Sequence, residues 1–390
     1  MKTYHLTAPC MFGLEALVKR EVQDLGYNII KVSDGRITYE GDSSAICRSN
    51  LWFRVAERVL IDVHEFKATS FEELFQGIKN IPWENYIPED GKFWVKKATS
   101  IKSKLFSPTD IQSIVKKAAV DRMKKAYDTS IIKETGANYP IRIFIHKDIV
   151  YVSLDTSGNG LHKRGYRKML VKAPIRETLG AALVLLSPWN PDRVLVDPFC
   201  GSGTIPIEAA MIGANIAPGL NREFDSEEWS NLIPRKQWMD AVDEANKAIK
   251  KDVKLNIQAF DIDYKVINVA RDCAANACVD EYIHFQDRPM QEFKTKKHFG
   301  VVVTNPPYGE RLEDAESVAL LYKDMGTVFS TLPDWSFQIV TSFEEFERNY
   351  GKKATKNRKL YNGMIKSYIY TYLGPKPPRR VNGDGDREQK

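Results

Sequence analysis

Asn305-Pro306-Pro307-Tyr308 closes the apolar run Phe299-Gly300-Val301-Val302-Val303-Thr304. A β-branched run of this kind predicts a buried central strand that delivers a rigid turn to the carboxyl edge of a parallel sheet, where α/β proteins bind ligands. The residue types suit methylation of an exocyclic amine. On guanine or adenine that amine is a poor nucleophile, because its lone pair is delocalised into the ring. The Asn305 side-chain oxygen and the Pro306 carbonyl each offer an acceptor for one amine hydrogen, favouring a tetrahedral nitrogen whose lone pair points at an electrophilic methyl group. Positioning and electrostatics then replace a strong base. Pro306 and Pro307 fix φ, so the acceptors are placed in advance. Tyr308 supplies a face on which an unpaired base can stack. Taken alone, the tetrapeptide is equally a plain turn, since Asn and Pro are common turn formers.

A second motif shifts that balance. Val194-Leu195-Val196-Asp197-Pro198-Phe199-Cys200-Gly201-Ser202-Gly203-Thr204, followed by the helical pattern Ile205 to Met211, reads as strand, glycine turn and helix. Gly201 and Gly203 let the backbone pass close to a ligand at the helix start. A phosphate loop would end in Gly-Lys-Ser/Thr, and a dinucleotide fingerprint would need a third glycine where Pro206 stands, so both of those readings weaken. Asp261, at the end of the next strand pattern, is placed for a ribose diol. Asp263 either joins it or caps the following helix, and Asp287 ends a third short strand. Simple capping and turn roles are the bland alternatives for these carboxylates. Cys200 is expected to pack near the cofactor and not to act as a nucleophile.

Glycine turn, acidic strand end and Asn-Pro-Pro-Tyr, in that order, resemble a class I methyltransferase using S-adenosylmethionine. The longer block Asn305-Pro306-Pro307-Tyr308-Gly309-Glu310-Arg311-Leu312 is more specific. Together with Leu161-His162-Lys163-Arg164-Gly165-Tyr166-Arg167 and Ala173-Pro174-Ile175-Arg176-Glu177-Thr178-Leu179, it is similar to the bacterial THUMP-domain methyltransferases of guanine N2 in large-subunit ribosomal RNA. The similarity runs over nearly the whole chain. It implies an α/β protein: a ferredoxin-like unit over residues 1–65, a THUMP RNA-binding domain over 66–160, and a Rossmann-like methyltransferase domain over 161–375 with a seven-stranded, mostly parallel sheet. Residues 376–390, rich in Pro, Gly and charge, read as a mobile tail. S-adenosylmethionine would lie on Asp197 to Thr204, Asp261, Asp263 and Asp287, with Arg176, Glu177 and Thr178 packed beside it. Glu310 and Arg311 would shape the far side of the base pocket. The insertion from about 214 to 254 is shared with the resembled family, and its function is not readable from composition.

Charge distribution points to nucleic acid. The net charge is +6, yet Lys96 through Lys172 hold 17 basic and 6 acidic side chains, an excess of +11 that leaves the rest at −5. Lys102, Lys104, Lys116, Lys117, Arg164 and Arg167 are the candidate phosphate contacts, with Phe106 beside the first pair. A solvated lysine-rich face is the bland alternative. Ribosomal RNA, or a pre-ribosomal large-subunit particle, is the partner that the resemblance implies.

The remaining elements are scaffolding. Gly13 to Asp24 and Ser43 to Asn50 read as helices, Tyr27 to Tyr39 as strands across Ser33-Asp34-Gly35, and Arg54 to Glu65 as a further strand. Asp110 to Ala126 reads as an amphipathic helix, and Ile141 to Val152 as a hairpin. Trp335 to Thr341 and Ile365 to Leu373 read as closing strands, with a basic turn, Lys356 to Gly363, between them. The five scattered cysteines argue for free thiols and against a metal site, and no histidine sits in a catalytic motif. No stretch is apolar enough to span a bilayer and no signal core is evident, so a cytoplasmic location is expected. Adenine-N6 methylation of DNA, guanine-N2 methylation of transfer RNA and a non-catalytic RNA-binding assembly factor stand as alternative functions.

Overall fold

The computed structural model describes residues 2–168, 175–308, 315–362 and 365–378. Lys172 to Pro174, Glu310, Arg311, Gly363 and the tail beyond residue 378 lie outside the described residues. Two seven-stranded sheets organise the rest. The first collects β1 (Tyr4–Pro9), α1 (Glu15–Asp24), β2 (Asn28–Ser33), β3 (Arg36–Gly41), α2 (Ser43–Trp52), β4 (Leu60–Lys67), α3 (Phe71–Lys79), β5 (Lys92–Ile101), α4 (Pro108–Ala126), β6 (Asn138–His146) and β7 (Ile149–Asp155). Its strand order is β2-β3-β1-β4-β7-β6-β5.

Local chemistry fixes the helix starts. Asp42, Ser70 and Ser107 accept hydrogen bonds from the Ala45, Glu73 and Asp110 amides, and Pro108 stands in the first turn of α4. Within α4, Ile111, Val115, Ala118 and Met123 are buried at helical spacing against the sheet. One reading here needs correction. Arg54 to Val59 is not strand: β4 starts at Leu60 and runs on to Lys67, because the Arg54 and Val55 amides are taken by the Glu21 carboxylate rather than by a sheet neighbour. The anticipated break after residue 65 falls inside β4, which pairs with β1 on one side and β7 on the other, so one sheet crosses it.

The second sheet is built from α5 (Glu177–Leu186), β8 (Leu195–Asp197), α6 (Thr204–Gly213), α7 (Arg235–Lys247), β9 (Ile257–Asp261), α8 (Tyr264–Asn276), β10 (Ile283–Asp287), β11 (Val301–Thr304), α9 (Ala315–Ser330), β12 (Ser336–Thr341), α10 (Phe346–Tyr350), β13 (Lys356–Asn362) and β14 (Ile365–Tyr372). The order is β10-β9-β8-β11-β12-β14-β13; the first five strands are mutually parallel, and β14 runs antiparallel to both β12 and β13, so it alone is reversed in the sheet. All of β11 and β12 is buried, as parallel strands covered on both faces must be. The three valines of β11 are fully buried, each contributing about 1.5–3 kcal/mol on burial. The basic stretch expected as a turn, Lys356 to Asn362, is instead the edge strand β13. Lysines suit an edge because their heads stay in water and discourage pairing with another chain.

The insertion acquires a structural job. Trp229 stacks on Tyr139 of β6 at 4.7 Å, and its indole N–H donates to the Asn138 carbonyl at 2.7 Å. Arg48 of α2 makes a bidentate pair with Glu244 of α7, at 2.8 and 2.9 Å. Trp229, Ile233 and Trp238 thereby join the hydrophobic core of the first sheet. The segment is a bracket between the two sheets.

Candidate functional site

Strand order reverses between β8 and β11, and this is where an open α/β sheet leaves a crevice at its carboxyl edge. The glycine turn leaves β8 on one side of that point, and Asn305-Pro306-Pro307-Tyr308 leaves β11 on the other. A buried hydrogen bond ties the two strands together: the Thr304 hydroxyl donates to Asp197 Oδ1 at 2.7 Å, and the same oxygen accepts the Phe199 amide at 3.2 Å. Asp197 is thus a strut between the two loops. Burial pushes its carboxyl up to about 7, and the nearby Asp261 charge adds to this, against the two hydrogen bonds that favour the anion.

The turn itself is shaped by its glycines. Gly201 and Gly203 have φ of +52° and +79°, and Gly203 is the N-cap of α6. A Cβ at Gly203 would stand 3.2 Å from that of Ala270, so both conformation and space call for glycine. Pro198, Cys200, Ser202 and Thr204 are buried, and Phe199 is half-buried. Burial, followed by the charges of Asp197 and Asp261, lifts the Cys200 thiol well above its usual range. It is a packing residue and no thiolate nucleophile.

Asp261 holds the turn from the next strand. Its Oδ2 accepts the Gly201 amide and its Oδ1 the Asp263 amide, each at 3.1 Å. Asp263 caps α8, accepting the Lys265 amide at 2.9 Å, as the capping option weighed for it expects. Asp287 is exposed at the end of β10, alongside. Between Asp261 and Asp263 stands Ile262, 77% exposed, an apolar side chain held open at the sheet edge that sequence reasoning did not single out. A large aliphatic residue between two strand-end carboxylates was the available signal.

On the Asn-Pro-Pro-Tyr side, Asn305 is half-buried, Pro306 buried, Pro307 exposed and Tyr308 half-buried. Among the described residues, no group bonds the Asn305 amide or the Pro306 carbonyl, so both acceptors remain available. The Pro307 carbonyl is anchored: the Tyr322 hydroxyl of α9 donates to it at 2.8 Å and lies 2.8 Å from the Thr341 hydroxyl of β12. Tyr322 was also missed, since nothing in its helical context distinguishes it from a core tyrosine.

Several predicted contacts have other work. Arg164, expected at RNA, is buried, paired with the buried Glu208 of α6 at 3.3 Å and donating to the Leu161 carbonyl at 2.7 Å. No phosphate can reach it. The reason is the cost of leaving Glu208 unpaired in the interior, which sequence spacing does not reveal. Arg167 pairs with Glu177 at 3.0 Å and hydrogen-bonds the Thr204 hydroxyl, bracing the start of α6 beside the glycine turn. Arg176 pairs with Glu57 at 3.3 Å. Thr178 Oγ1 is buried with no partner among the described residues. Lys116 is engaged by Glu134 and the Phe93 carbonyl. Lys102, Lys104 and Lys117 are exposed, and so is Phe106, at 80%.

A parallel sheet with this switch point, a glycine turn braced by a strand-end carboxylate and an Asn-Pro-Pro-Tyr loop define a class I methyltransferase. Comparison with known proteins agrees. Residues 164–370 match the family described as RMKL-like, methyltransferase domain, residues 5–60 the RlmL ferredoxin-like domain, and residues 68–155 the THUMP domain. The chain belongs to this RMKL-like methyltransferase family. It is 50% identical to "Putative RNA methyltransferase YpsC" of Bacillus subtilis (strain 168), over 97% of this chain and 98% of that one. It is 32% identical to the ribosomal RNA large subunit methyltransferase K/L of Cellvibrio japonicus (strain Ueda107), over 94% of its own length and half of that relative's. Among solved structures, a possible methylase from Clostridium difficile 630 superposes with TM-score 0.94 at 54% identity, covering 97% of this chain and all of that one. SMU.472, complexed with SAH, superposes at 0.91 with 43% identity, again over 97% and 100%.

The cofactor is S-adenosylmethionine, and the residues present fit it. Gly201 opens its Cβ side to space, Ile262 offers an apolar face, Asp261 and Asp287 set acceptors at adjacent strand ends, and the Thr178 hydroxyl is buried without a partner.

Proposed function

We propose that this chain methylates the exocyclic N2 amine of a guanine in large-subunit (23S) ribosomal RNA, in the cytoplasm. The observation that carries the reading is the placement of Asn305 and Pro306 at the carboxyl end of β11, one strand from the glycine turn that ends β8. Asn305 Oδ1 and the Pro306 carbonyl accept the two amine hydrogens and aim the nitrogen lone pair. Pro307, fixed through Tyr322, holds that geometry, and Tyr308 stacks on the flipped base. Bound S-adenosylmethionine supplies a methyl group on a sulfonium centre. Asp261 and Asp287 orient it, the glycine turn admits it, and Asp197 with Thr304 keeps the two loops in register. The amine proton leaves after transfer, so the chain needs no dedicated base.

RNA as substrate is supported by the THUMP match, by the basic excess of residues 96–172, and by the names of the two relatives. Guanine N2 is supported by the resemblance of the extended Asn-Pro-Pro-Tyr block. The test is methyl transfer from labelled S-adenosylmethionine to ribosomal RNA taken from a strain lacking this protein, followed by nucleoside mass spectrometry, beside Asn305→Ala. N2-methylguanosine that disappears in the variant is expected. Methyladenine, or label only in DNA or transfer RNA, would replace the substrate, and transfer to no nucleic acid would leave a binding factor.

A further inference from the structure

The face of the first sheet turned away from its helices holds a charge imbalance that methyl transfer does not use. On β6 and β7, Ile141, Ile143, Val152 and Leu154 point into the helix-packed core, so strand alternation turns Arg142, Phe144, Tyr151 and Asp155 to the other side. There the fully buried Asp155 is met by three cations: Arg58 at 2.6 Å, Arg142 at 3.2 Å and Lys96 at 3.7 Å. Their side chains are 18%, 19% and 27% exposed, so they are largely shielded from water yet open on one side. The half-buried Asp225 answers a second cation, but Arg222 adds a fourth, and the surplus persists.

Two further observations point to a missing anion. Arg222 Nε is buried with no partner among the described residues. Burial first, and neighbouring guanidinium groups with it, lowers Lys96 and Arg142 from their usual ranges and Arg222 to about 10. Cations held in this way are stabilised by a bound anion.

The surroundings say which anion. Phe144 and Tyr151 lie beside the cluster on the same face with ring centroids 5.9 Å apart, and the Arg36 guanidinium sits over Phe144 at 3.8 Å. Cations that track a backbone next to stacking rings are what single-stranded nucleic acid requires. The cluster also adjoins the methyltransferase site, because Glu57, next to Arg58, pairs with Arg176 at the start of α5.

We propose that Arg58, Lys96 and Arg142 bind a backbone phosphate of a single-stranded segment of the RNA substrate, with Phe144 and Tyr151 receiving an adjacent base. This rests on the reading of the chain as an RNA methyltransferase. The lysines of α4 are then peripheral to RNA binding.

The test measures affinity of the full chain for a short fluorescent single-stranded RNA at several salt concentrations, for the unaltered protein, Lys96→Gln, and Lys96→Gln with Arg142→Gln. Arg58 still neutralises Asp155 in both variants, and urea denaturation with S-adenosylmethionine binding checks that the fold and cofactor site persist. The double variant is expected to bind about tenfold more weakly, with a log-log salt slope shallower by about 0.7 for one lost phosphate contact, and Lys96→Gln to fall between. Unchanged RNA affinity, with loss only of stabilisation by inorganic phosphate, would make this a free-phosphate site and overturn the proposal. So would a loss of affinity produced by Lys117→Gln with Lys124→Gln but not by the sheet-face pair. An unaltered protein that binds S-adenosylmethionine and no RNA would overturn the substrate reading, and this site with it.

Discussion

Asp197→Asn separates the strut's geometry from its charge. The folded carboxyl titrates at about 7, against about 3.9 in an unfolded chain. The folded state therefore holds its proton more tightly than the unfolded one. Stability from this group is complete below about pH 4 and is lost as pH rises through the folded value of about 7. Linkage over that gap amounts to about 2.5 kcal/mol lost between about pH 5 and pH 8. Asparagine keeps an oxygen that can accept from Thr304 and the Phe199 amide but has no proton to lose. Urea denaturation of both proteins across that pH range, monitored on the transition of the second sheet, should show the native curve falling more steeply by about this amount. Glu21 is also raised to about 7, but it is present in both proteins and cancels in the difference. Parallel curves would refute the argument, because they would mean that Asp197 is already ionised at pH 5.

Tyr322→Phe removes the donor that fixes the Pro307 carbonyl. It should lower kcat about tenfold with the KM for S-adenosylmethionine unchanged and cost about 1 kcal/mol of stability; steady-state kinetics beside urea denaturation reads both, and an unchanged kcat would remove Tyr322 from the positioning of the loop. Arg164→Met strands Glu208 in the interior, so denaturation should show a loss of about 3–5 kcal/mol. A surface phosphate contact would instead leave stability intact and weaken only RNA binding.

The elements that carry the candidate site were legible because their signals are local. A run of β-branched residues before Asn305, glycines at a turn that needs positive φ, and Asp261 at a strand end each express a constraint carried by a few neighbouring residues, and the fold keeps all three at one sheet edge. Cys200 is a small, buried residue in that crowded turn. The basic residues were harder. Lys102, Arg164 and Lys116 look alike in sequence, yet one is exposed, one is buried against Glu208, and one is occupied by Glu134. Which of these a cation becomes depends on carboxylates 18 and 44 residues away for the last two.

Most element types and the residues at the carboxyl edge of the second sheet were readable from local sequence, because propensity, turn chemistry and hydrophobic period act over short stretches of chain; Arg54 to Val59 and Lys356 to Asn362 were not. Long-range contacts alone set the rest: β4 runs on to join β1 and β7 in one sheet, the insertion brackets the two sheets through Trp229, Asp197 and Thr304 lock the two loops together, and three cations converge on Asp155. These depend on pairings between residues tens of positions apart, whose energy comes from burial and mutual neutralisation once the chain has closed.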